Sequence, residues 1–446
     1  GLSFLENIYK AGVIGEGGAG FPTHIKYAAS PKYLLINGAE CEPLLYTDKF
    51  QMENFYKEML AAIQAAKNFL KAERAVLATK KRYEDLIGLF EKEIKEKDYE
   101  IEIFSMENFY PAGDEQITIY EAFQRAVPAG GIPLHVDIVV SNIATMRSIY
   151  DAQNGIPVTD KYLTVTGEVK TPKVLKVPVG ITLAECIEKA GGSTLEEYMI
   201  LTGGPMMGKF VTKEEAEKTV VRKTTGGILI VPKNHALVQR GTKSILAIKN
   251  ETRAACIQCS FCTQYCPRYL IGHPLHPHKI MRAFGIHDVY DERFSEALLC
   301  CECGICELFA CPMNISPRIV NVYLKQELRK NGIRGTFETG PVQPERENRY
   351  VPVDRLLSRL DIRKYYDLGK PSYQEIETDK VRIPLGQYIG KSAVPCVNVG
   401  DYVEKGTLIG DLPMTDLGSR VHASISGRVI AVDDAVTILR EGRENL

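Results

Sequence analysis

The sequence predicts a multidomain protein of mixed α/β and α+β class, with a helical, cysteine-rich unit in its second half. Three observations lead there. At 446 residues the chain has room for about three domains. Its 45% hydrophobic and 25% charged residues lie in the ordinary globular range and set aside disordered, collagenous and coiled-coil classes. Third, of 12 cysteines only Cys41, Cys186, Cys301 and Cys396 escape a ligand-like pattern confined between Cys256 and Cys311.

The elements follow in order. Phe4 to Ala11 reads as a short amphipathic helix, Tyr33 to Ile36 as a buried strand, and Lys49 to Leu70 as a helix. A strand at Ala75 to Ala78, a helix from Tyr83 to Lys95 and a strand at Val136 to Val140 complete the alternation of a largely parallel sheet, which gives a first unit over 1–155. Asn154-Gly155-Ile156-Pro157 punctuates the chain. Alternation from Leu163 to Val169, a helix from Leu183 to Ala190 and Met199 to Leu201 then read as a small α+β module over 156–235. Helical segments enclose the cysteines over 236–335, a polar linker covers 336–379, and short strands with turns at Asn398 to Asp401, Lys405-Gly406 and Ser426-Gly427 fill 380–446.

Fifty-five Lys and Arg against 56 Asp and Glu leave a charge of -1, which provides no electropositive field for nucleic acid or an anionic membrane. There is no apolar run of about 18 residues, and Gly1-Leu2-Ser3-Phe4 lacks the basic and apolar regions of a signal peptide, so a soluble intracellular protein is expected. In that reducing setting dense cysteines point to metal or redox chemistry rather than disulfides.

Cys256, Cys259, Cys262 and Cys266 follow C-x2-C-x2-C-x3-C and run into Pro267, the pattern of bacterial ferredoxin clusters. A second copy arrives as Cys300, Cys303, Cys306 and Cys311-Pro312, with one extra residue in the last gap. Only Cys300 restores the gap to Cys303, so Cys301 is read as a non-ligand. Crossed ligation would place Cys256, Cys259, Cys262 and Cys311 on one 4Fe-4S cluster and Cys300, Cys303, Cys306 and Cys266 on the other. Two structural zinc ions would use eight thiolates equally well, but zinc knuckles pair across a spacer and do not repeat a triple followed by Cys-Pro.

Gly15-Glu16-Gly17-Gly18-Ala19-Gly20 fits G-x-G-x-x-G, with Glu40 about 20 residues on, yet it follows a helix rather than a strand. What survives is a loop whose backbone N–H groups can close around a phosphate or flat ring, with Lys26 as a nearby cation. Continued through Phe21-Pro-Thr-His-Ile-Lys26, and followed by Asn37-Gly-Ala-Glu-Cys-Glu-Pro43, Tyr110-Pro-Ala-Gly-Asp-Glu-Gln116 and Val139 to Thr145, this loop resembles the flavin-carrying NADH-oxidising subunit of respiratory complex I. The resemblance implies a Rossmann-like domain in which Gly15, Gly17, Gly18, Gly20, Phe21, Lys26, Asn37, Glu40, Gly113 and Asn142 line an FMN and NADH pocket, with Glu42 and Glu115 as its catalytic acids. Two positions depart: Glu16 stands where complex I has arginine, and Ala39 where it has aspartate.

Val165-Thr-Gly-Glu-Val-Lys170 and Thr202-Gly-Gly-Pro-Met-Met-Gly208 resemble the soluble-ligand-binding β-grasp (SLBB) domain. Val394 to Gly406 with Val421 to Val429 resembles a biotinyl or lipoyl barrel-sandwich hybrid, but Ser424-Ile425-Ser426 occupies the hairpin where a carrier lysine would sit, which leaves a structural or docking module. The domain order is similar to the C subunit of the Rnf complex. It is closer to the cobalamin reductases of propanediol-utilisation microcompartments, because the flavin domain comes first and the barrel last.

These resemblances imply an oxidoreductase that passes electrons from NADH through FMN and two 4Fe-4S clusters to an external acceptor: a corrinoid, a ferredoxin or a partner flavoprotein. The alternative is a non-catalytic electron-transfer subunit of a larger complex. They imply assembly into a complex or homo-oligomer, and a place in the cytoplasm, inside a bacterial microcompartment or at the edge of a membrane complex. His273, His276 and His278 are read as a solvated, proline-stiffened loop rather than metal ligands. Cys41 is read as a plain thiol beside the flavin, and Glu91 to Glu100 as a solvated helix face.

Overall fold

A computed structural model describes residues 2–442; Gly1 and residues 443–446, at the outer ends of the first and last expected units, lie outside the described residues. The chain opens with α1 (Leu2–Ala11) and the single turn α2 (Thr23–Lys26). Next come β1 (Tyr33–Gly38), α3 (Thr47–Leu70), β2 (Arg74–Lys80), α4 (Glu84–Lys97), β3 (Ile101–Met106), β4 (Phe109–Tyr110), α5 (Glu115–Phe123), β5 (Ile138–Asn142) and α6 (Ile143–Gln153). Four of these strands form a parallel sheet in the order β3-β2-β1-β5. Strands β1, β2 and β5 are nearly continuous apolar runs because both faces are covered, whereas the edge strand β3 leaves Glu102 and Ser105 exposed. Leu34 and Ile36 pack toward α1, α3 and α6, while Leu35 between them packs toward Ile117 and Ile119 of α5. The strand expected from Val136 starts later: Pro133 opens a 3-10 turn that runs to Val136, and Asp137 takes a left-handed φ of 64° before β5 begins.

The second unit comprises β6 (Asp160–Gly167), β7 (Lys173–Pro178), α7 (Leu183–Lys189), β8 (Tyr198–Thr202), β9 (Lys209–Thr212) and β10 (Gly227–Pro232). Thr182 caps α7 by accepting from the Glu185 N–H at 3.2 Å. In this mixed sheet β6 runs parallel to β10 and antiparallel to β7, with α7 packed on one face over Leu163, Val165 and Leu175. That is a β-grasp arrangement.

Six helices build the cysteine unit: α8 (Ala236–Gly241), α9 (Ile245–Ala255), α10 (Phe261–Gln264), α11 (Pro267–Leu270), α12 (Pro277–Ile286) and α13 (Pro317–Lys330). Three start on proline, which presets φ and has no N–H to leave unpaired in the first turn. The 336–379 stretch returns to earlier units. Its β11 (Val351–Pro352) pairs with β4, α14 (Val353–Arg359) buries Leu356 and Leu357 against Tyr110, Cys303 and Leu308, and β12 (Ser372–Glu375) lies parallel to β7 at the edge of the β-grasp sheet.

The last unit consists of β13 (Lys380–Pro384), β14 (Val394–Pro395), β15 (Tyr402–Val403), β16 (Leu408–Asp411), β17 (Val421–His422), β18 (Gly427–Val432) and β19 (Ala435–Leu439). They form two antiparallel sheets, β13-β19-β18-β15 and β14-β16-β17, around Val381, Ile409, Val421 and Ile438. Lys223 ties first to last: fully buried, its ammonium donates to the carbonyls of Gly12 at 2.8 Å and Arg420 at 2.9 Å. No helix among the described residues is long and apolar enough to cross a membrane.

Candidate functional site

In an open parallel sheet the chain leaves a crevice where the strand order reverses, at the carboxyl ends of the two strands that flank the reversal. Here those strands are β1 and β5, and their last paired residues are Asn37 and Asn142. Asn142 caps α6 by accepting from the Ala144 N–H at 2.8 Å, and its amide donates to Asp48 at 3.3 Å. Asn37 donates to the Gly113 carbonyl at 2.7 Å, which brings the loop before α5 over the strand end.

The glycine loop sits on this crevice. Its stem is closed by Gly15 N–H donating to the Phe21 carbonyl at 2.9 Å, with Phe21 half-buried beside it. Gly17 and Gly18 form an exposed tip: a Cβ at Gly17 would stand 2.4 Å from Asn142 Nδ2, whereas one at Gly18 would meet nothing within 4 Å. Only glycine fits the first position, and the backbone at the second faces open space, as a flat ring or a phosphate requires. Lys26 reaches the same edge, donating to the Val140 carbonyl at 2.8 Å and standing 3.8 Å from Glu115. Burial pushes the Glu115 carboxyl up, and Lys26 opposes it.

Not every expected residue joins them. Gly20, with φ 79°, packs against Thr224 and the backbone of Gln387, so it serves the turn and its contact with later units. Glu40 turns the other way and caps α3, accepting from the N–H groups of Asp48 at 3.0 Å and Lys49 at 3.1 Å. Burial, with Asp48 behind it, pushes Glu40 up to about 8. Glu42 accepts from Met206 N–H at 2.9 Å and Met207 N–H at 3.2 Å in the β-grasp loop, and burial raises its carboxyl to about 7. Both acids line a separate cavity of about 430 Å³ with Lys80, Tyr83, Tyr365 and Lys370. Burial raises the Cys41 thiol to about 12, which keeps it protonated at neutral pH, as a plain thiol would be.

Glu16, the departure from complex I, is buried. Its carboxylate accepts from the Ser148 hydroxyl and stands 3.5 Å from the equally buried Lys161 ammonium of β6, while its N–H donates to Thr145. The negative charge placed in the loop is answered from the second unit. Lys161 gives no sign of this in sequence, because it falls on an outwardly ordinary alternating strand.

The cysteines fall into two groups. Cys256, Cys259, Cys262 and Cys311 line one small apolar cavity with Met281 and Ile315. Around the other site Cys266 lies close enough to Cys300 to feel its charge, and Cys303 close enough to Cys266 and Cys306. Cys301 stands among them: it hydrogen-bonds with Cys303, and its charge is felt by both Cys266 and Cys300. Among the described residues no three His, Cys, Asp or Glu side chains converge tightly enough to hold a single ion. A 4Fe-4S cube distributes its thiolates over separate irons, so it calls for cysteines spaced around a dry cavity, which the first group provides. The extra residue in the second run is absorbed locally: Cys306–Ala310 form a π-turn in which Cys311 N–H reaches back to the Cys306 carbonyl at 3.0 Å. N–H groups also point at sulfur, from Gln258 to Cys256 at 3.2 Å, Glu302 to Cys300 at 3.3 Å and Ile315 to Cys311 at 3.4 Å.

The histidine segment is not a solvated loop. His273 is buried with Nε2 2.7 Å from the Val127 carbonyl, His276 pairs with Glu296 at 3.0 Å, and His278 lines the first cysteine cavity. The prolines keep the segment extended only up to His276, since Pro277 is the first residue of α12.

Two contacts join the crevice to the cysteines. Tyr110 donates its hydroxyl to the Cys303 carbonyl at 2.7 Å, and Asp114, which caps α5, accepts two bonds from the buried Arg268 at 2.7 and 3.1 Å. Arg268 lies two residues past Cys266, and the same short segment carries Gly113 and Glu115. Asp114 falls inside a flavin-pocket motif and Arg268 just behind a Cys-Pro, but neither position alone signals that they meet.

Residues 8–151 match the family described as the Nuo51 FMN-binding domain, 162–210 the SLBB domain, 255–316 the 4Fe-4S dicluster domain and 367–445 the RnfC barrel sandwich hybrid domain. Over 441 residues, 98% of this chain and 96% of the relative, the sequence is 38% identical to cobalamin reductase PduS of Citrobacter freundii. The chain belongs to the cobalamin reductase family. The Salmonella typhimurium member is 38% identical over 438 residues, again 98% of this chain and 96% of that one. The RnfC-type component of the Na(+)-translocating ferredoxin:NAD(+) oxidoreductase complex of Acetobacterium woodii is 32% identical over 271 residues, 59% of this chain and 57% of that one. This family member is an oxidoreductase with an FMN-binding domain and a 4Fe-4S dicluster domain in one chain.

Proposed function

We propose that the chain takes electrons from NADH and delivers them through FMN and two 4Fe-4S clusters to an external acceptor of the corrinoid class. The observation that carries this reading is the pair of bonds from the Tyr110 to Glu115 segment to the cluster loops, Tyr110 to Cys303 and Asp114 to Arg268, which seats the flavin-side residues directly against the second cysteine group. FMN, when bound, accepts a two-electron hydride and releases electrons singly, which is the conversion a nicotinamide donor and a cluster require.

The chain's own residues do the rest. Gly17 and Gly18 leave room for the ring and phosphate, Asn37 fixes Gly113 over the strand end, and Lys26 brings a cation to the crevice beside Glu115. Glu42, half-buried and pinned by two backbone N–H groups, is held at the boundary of the first two units, where its carboxyl can exchange a proton near neutral pH. In this reading Cys256, Cys259, Cys262 and Cys311 hold one cluster, Cys266, Cys300, Cys303 and Cys306 the other, and Cys301 none. The domain limits 1–155, 156–235, 236–335 and 380–446 belong to the same proposal, as do assembly into a larger complex and a place in a microcompartment.

The test is anaerobic. NADH added to purified protein should bleach the flavin, produce reduced-cluster electron paramagnetic resonance signals and then reduce added cob(III)alamin. No flavin bleaching by NADH would overturn the donor, and oxidation of NADH without cobalamin reduction would overturn the acceptor.

A further inference from the structure

A groove of about 830 Å³ opens where α14 crosses the cysteine unit, lined by Phe261, Tyr265, Phe309 and Pro312 on one side and by Arg355 and Arg359 on the other, with Arg349 and Arg363 at its ends. The aromatic side belongs to the cluster loops. Phe261 precedes Cys262, Tyr265 precedes Cys266, and Phe309 and Pro312 bracket Cys311, so the groove floor lies within two residues in sequence of ligands of both proposed clusters. Phe261 is 44% exposed, far more than a core aromatic.

The arginine side is a row. Arg355 and Arg359 are one turn apart on the exposed face of α14, about 6 Å along the axis, while Leu356, Leu357 and Leu360 bury the opposite face. Arg363 is neutralised by Asp354 at 3.8 Å and Asp367 at 3.9 Å. Among the described residues Arg349, Arg355 and Arg359 have no carboxylate partner. Arg349 lies 5.6 Å from the Tyr265 ring centroid with its Nε buried and unpaired, and Arg355 lies 5.8 Å from that of Phe309. Arg240 adds to the field near Arg359.

We infer that this groove is the electron exit, and that it docks the acidic face of a soluble redox protein. The guanidiniums are strung along a helix instead of converging on one point, as a single phosphate would demand, and an extended positive row over the exposed Phe261 and the half-buried Tyr265 and Phe309 complements an acidic protein surface. Such fields act chiefly by steering encounter. The inference rests on the reading that electrons leave through the clusters, and it adds a protein acceptor to the corrinoid proposed above.

Flavodoxin, an acidic one-electron carrier, is the probe, and basic cytochrome c its counterpart. One NADH reduces two oxidised flavodoxins to their neutral semiquinones, one electron each, with release of NAD+ and net uptake of one proton from solvent. With the holoprotein at low salt, Arg355→Glu/Arg359→Glu should lower the second-order rate of flavodoxin reduction at least about tenfold and raise that of cytochrome c, with the wild-type salt dependence largely lost. Flavin bleaching by NADH should stay unchanged, because α14 turns Val353 and Leu357, and not the two arginines, toward the first unit. Equilibrium binding of flavodoxin, measured without NADH, should weaken in parallel, and this arm stands even if NADH proves not to be the donor. Arg355→Lys/Arg359→Lys should retain most of the rate. Unchanged flavodoxin binding and rate in the Glu variant would overturn the inference, as would loss of cob(II)alamin binding with flavodoxin unaffected, which would make the groove a small-molecule site.

Discussion

Lys161→Met isolates the contact by which the second unit holds the glycine loop. Glu16 and Lys161 are 3.5 Å apart with side chains 6% and 4% exposed. Removing one partner of a buried pair costs about 3–5 kcal/mol, because the remaining charge stays out of water. Glu16 keeps its bond from Ser148, so the lower end, about 3 kcal/mol, is the appropriate figure. The chain relieves that cost by swinging the loop outward to hydrate Glu16, and an open loop no longer presents Gly17 and Gly18 to the crevice. At 1.4 kcal/mol per tenfold, FMN affinity should fall about 10- to 100-fold, depending on how much of the cost the loop releases. Titration of deflavinated protein with FMN, followed by flavin fluorescence, gives the affinity directly. Glu16→Gln/Lys161→Met, which removes both charges, should recover most of it. Affinity within twofold of wild type in Lys161→Met, with an unchanged urea midpoint, would refute the coupling of this pair to the loop.

Gly17→Val should abolish FMN retention on gel filtration while leaving iron content intact, because its Cβ would stand 2.4 Å from Asn142 Nδ2. Cys300→Ala should lose close to half the iron measured by chelation after anaerobic purification, whereas Cys301→Ala should keep nearly all of it. Glu40 is held near 8 in the fold and titrates in the usual carboxyl range when unfolded, so the folded state binds the extra proton between those values and stability falls as pH rises through that window. Urea midpoints at pH 5, 6.5 and 8 should therefore decline less steeply in Glu40→Gln, which still accepts from the start of α3 but carries no charge; equal slopes would assign the pH dependence elsewhere.

The sheet was legible because β1, β2 and β5 are buried on both faces and read as unbroken apolar runs, and α3 because its pattern persists over more than six turns. The cysteine grouping was legible because ligand spacing is a local property. The limits of legibility are non-local. The extra residue before Cys311 is visible in sequence, but its accommodation in a π-turn depends on Leu308 and Ala310 packing under α14. In 336–379 the polar average conceals Val351, Val353, Leu356, Leu357 and Ile362, whose partners lie well upstream, as far back as Leu44 and Cys41. His273 is a polar residue between glycine and proline until Val127 arrives to accept its bond. The same holds for Glu16, whose local context is a loop and whose counter-charge comes from another unit.

The strand β12 belongs by sequence to the approach to the final module, yet it lies on the outer rim of the β-grasp sheet, where Lys173 reaches Gln374 and Lys176 stands 3.6 Å from Glu375. Without it the rim would be β7, whose Val174, Leu175 and Val177 are fully buried and whose backbone would be left unpaired along one side. An uncovered strand of that kind recruits the same strand from another molecule. A chain shortened before residue 367 should thus announce itself on a sizing column, as multimers, while its cysteine centres are still whole.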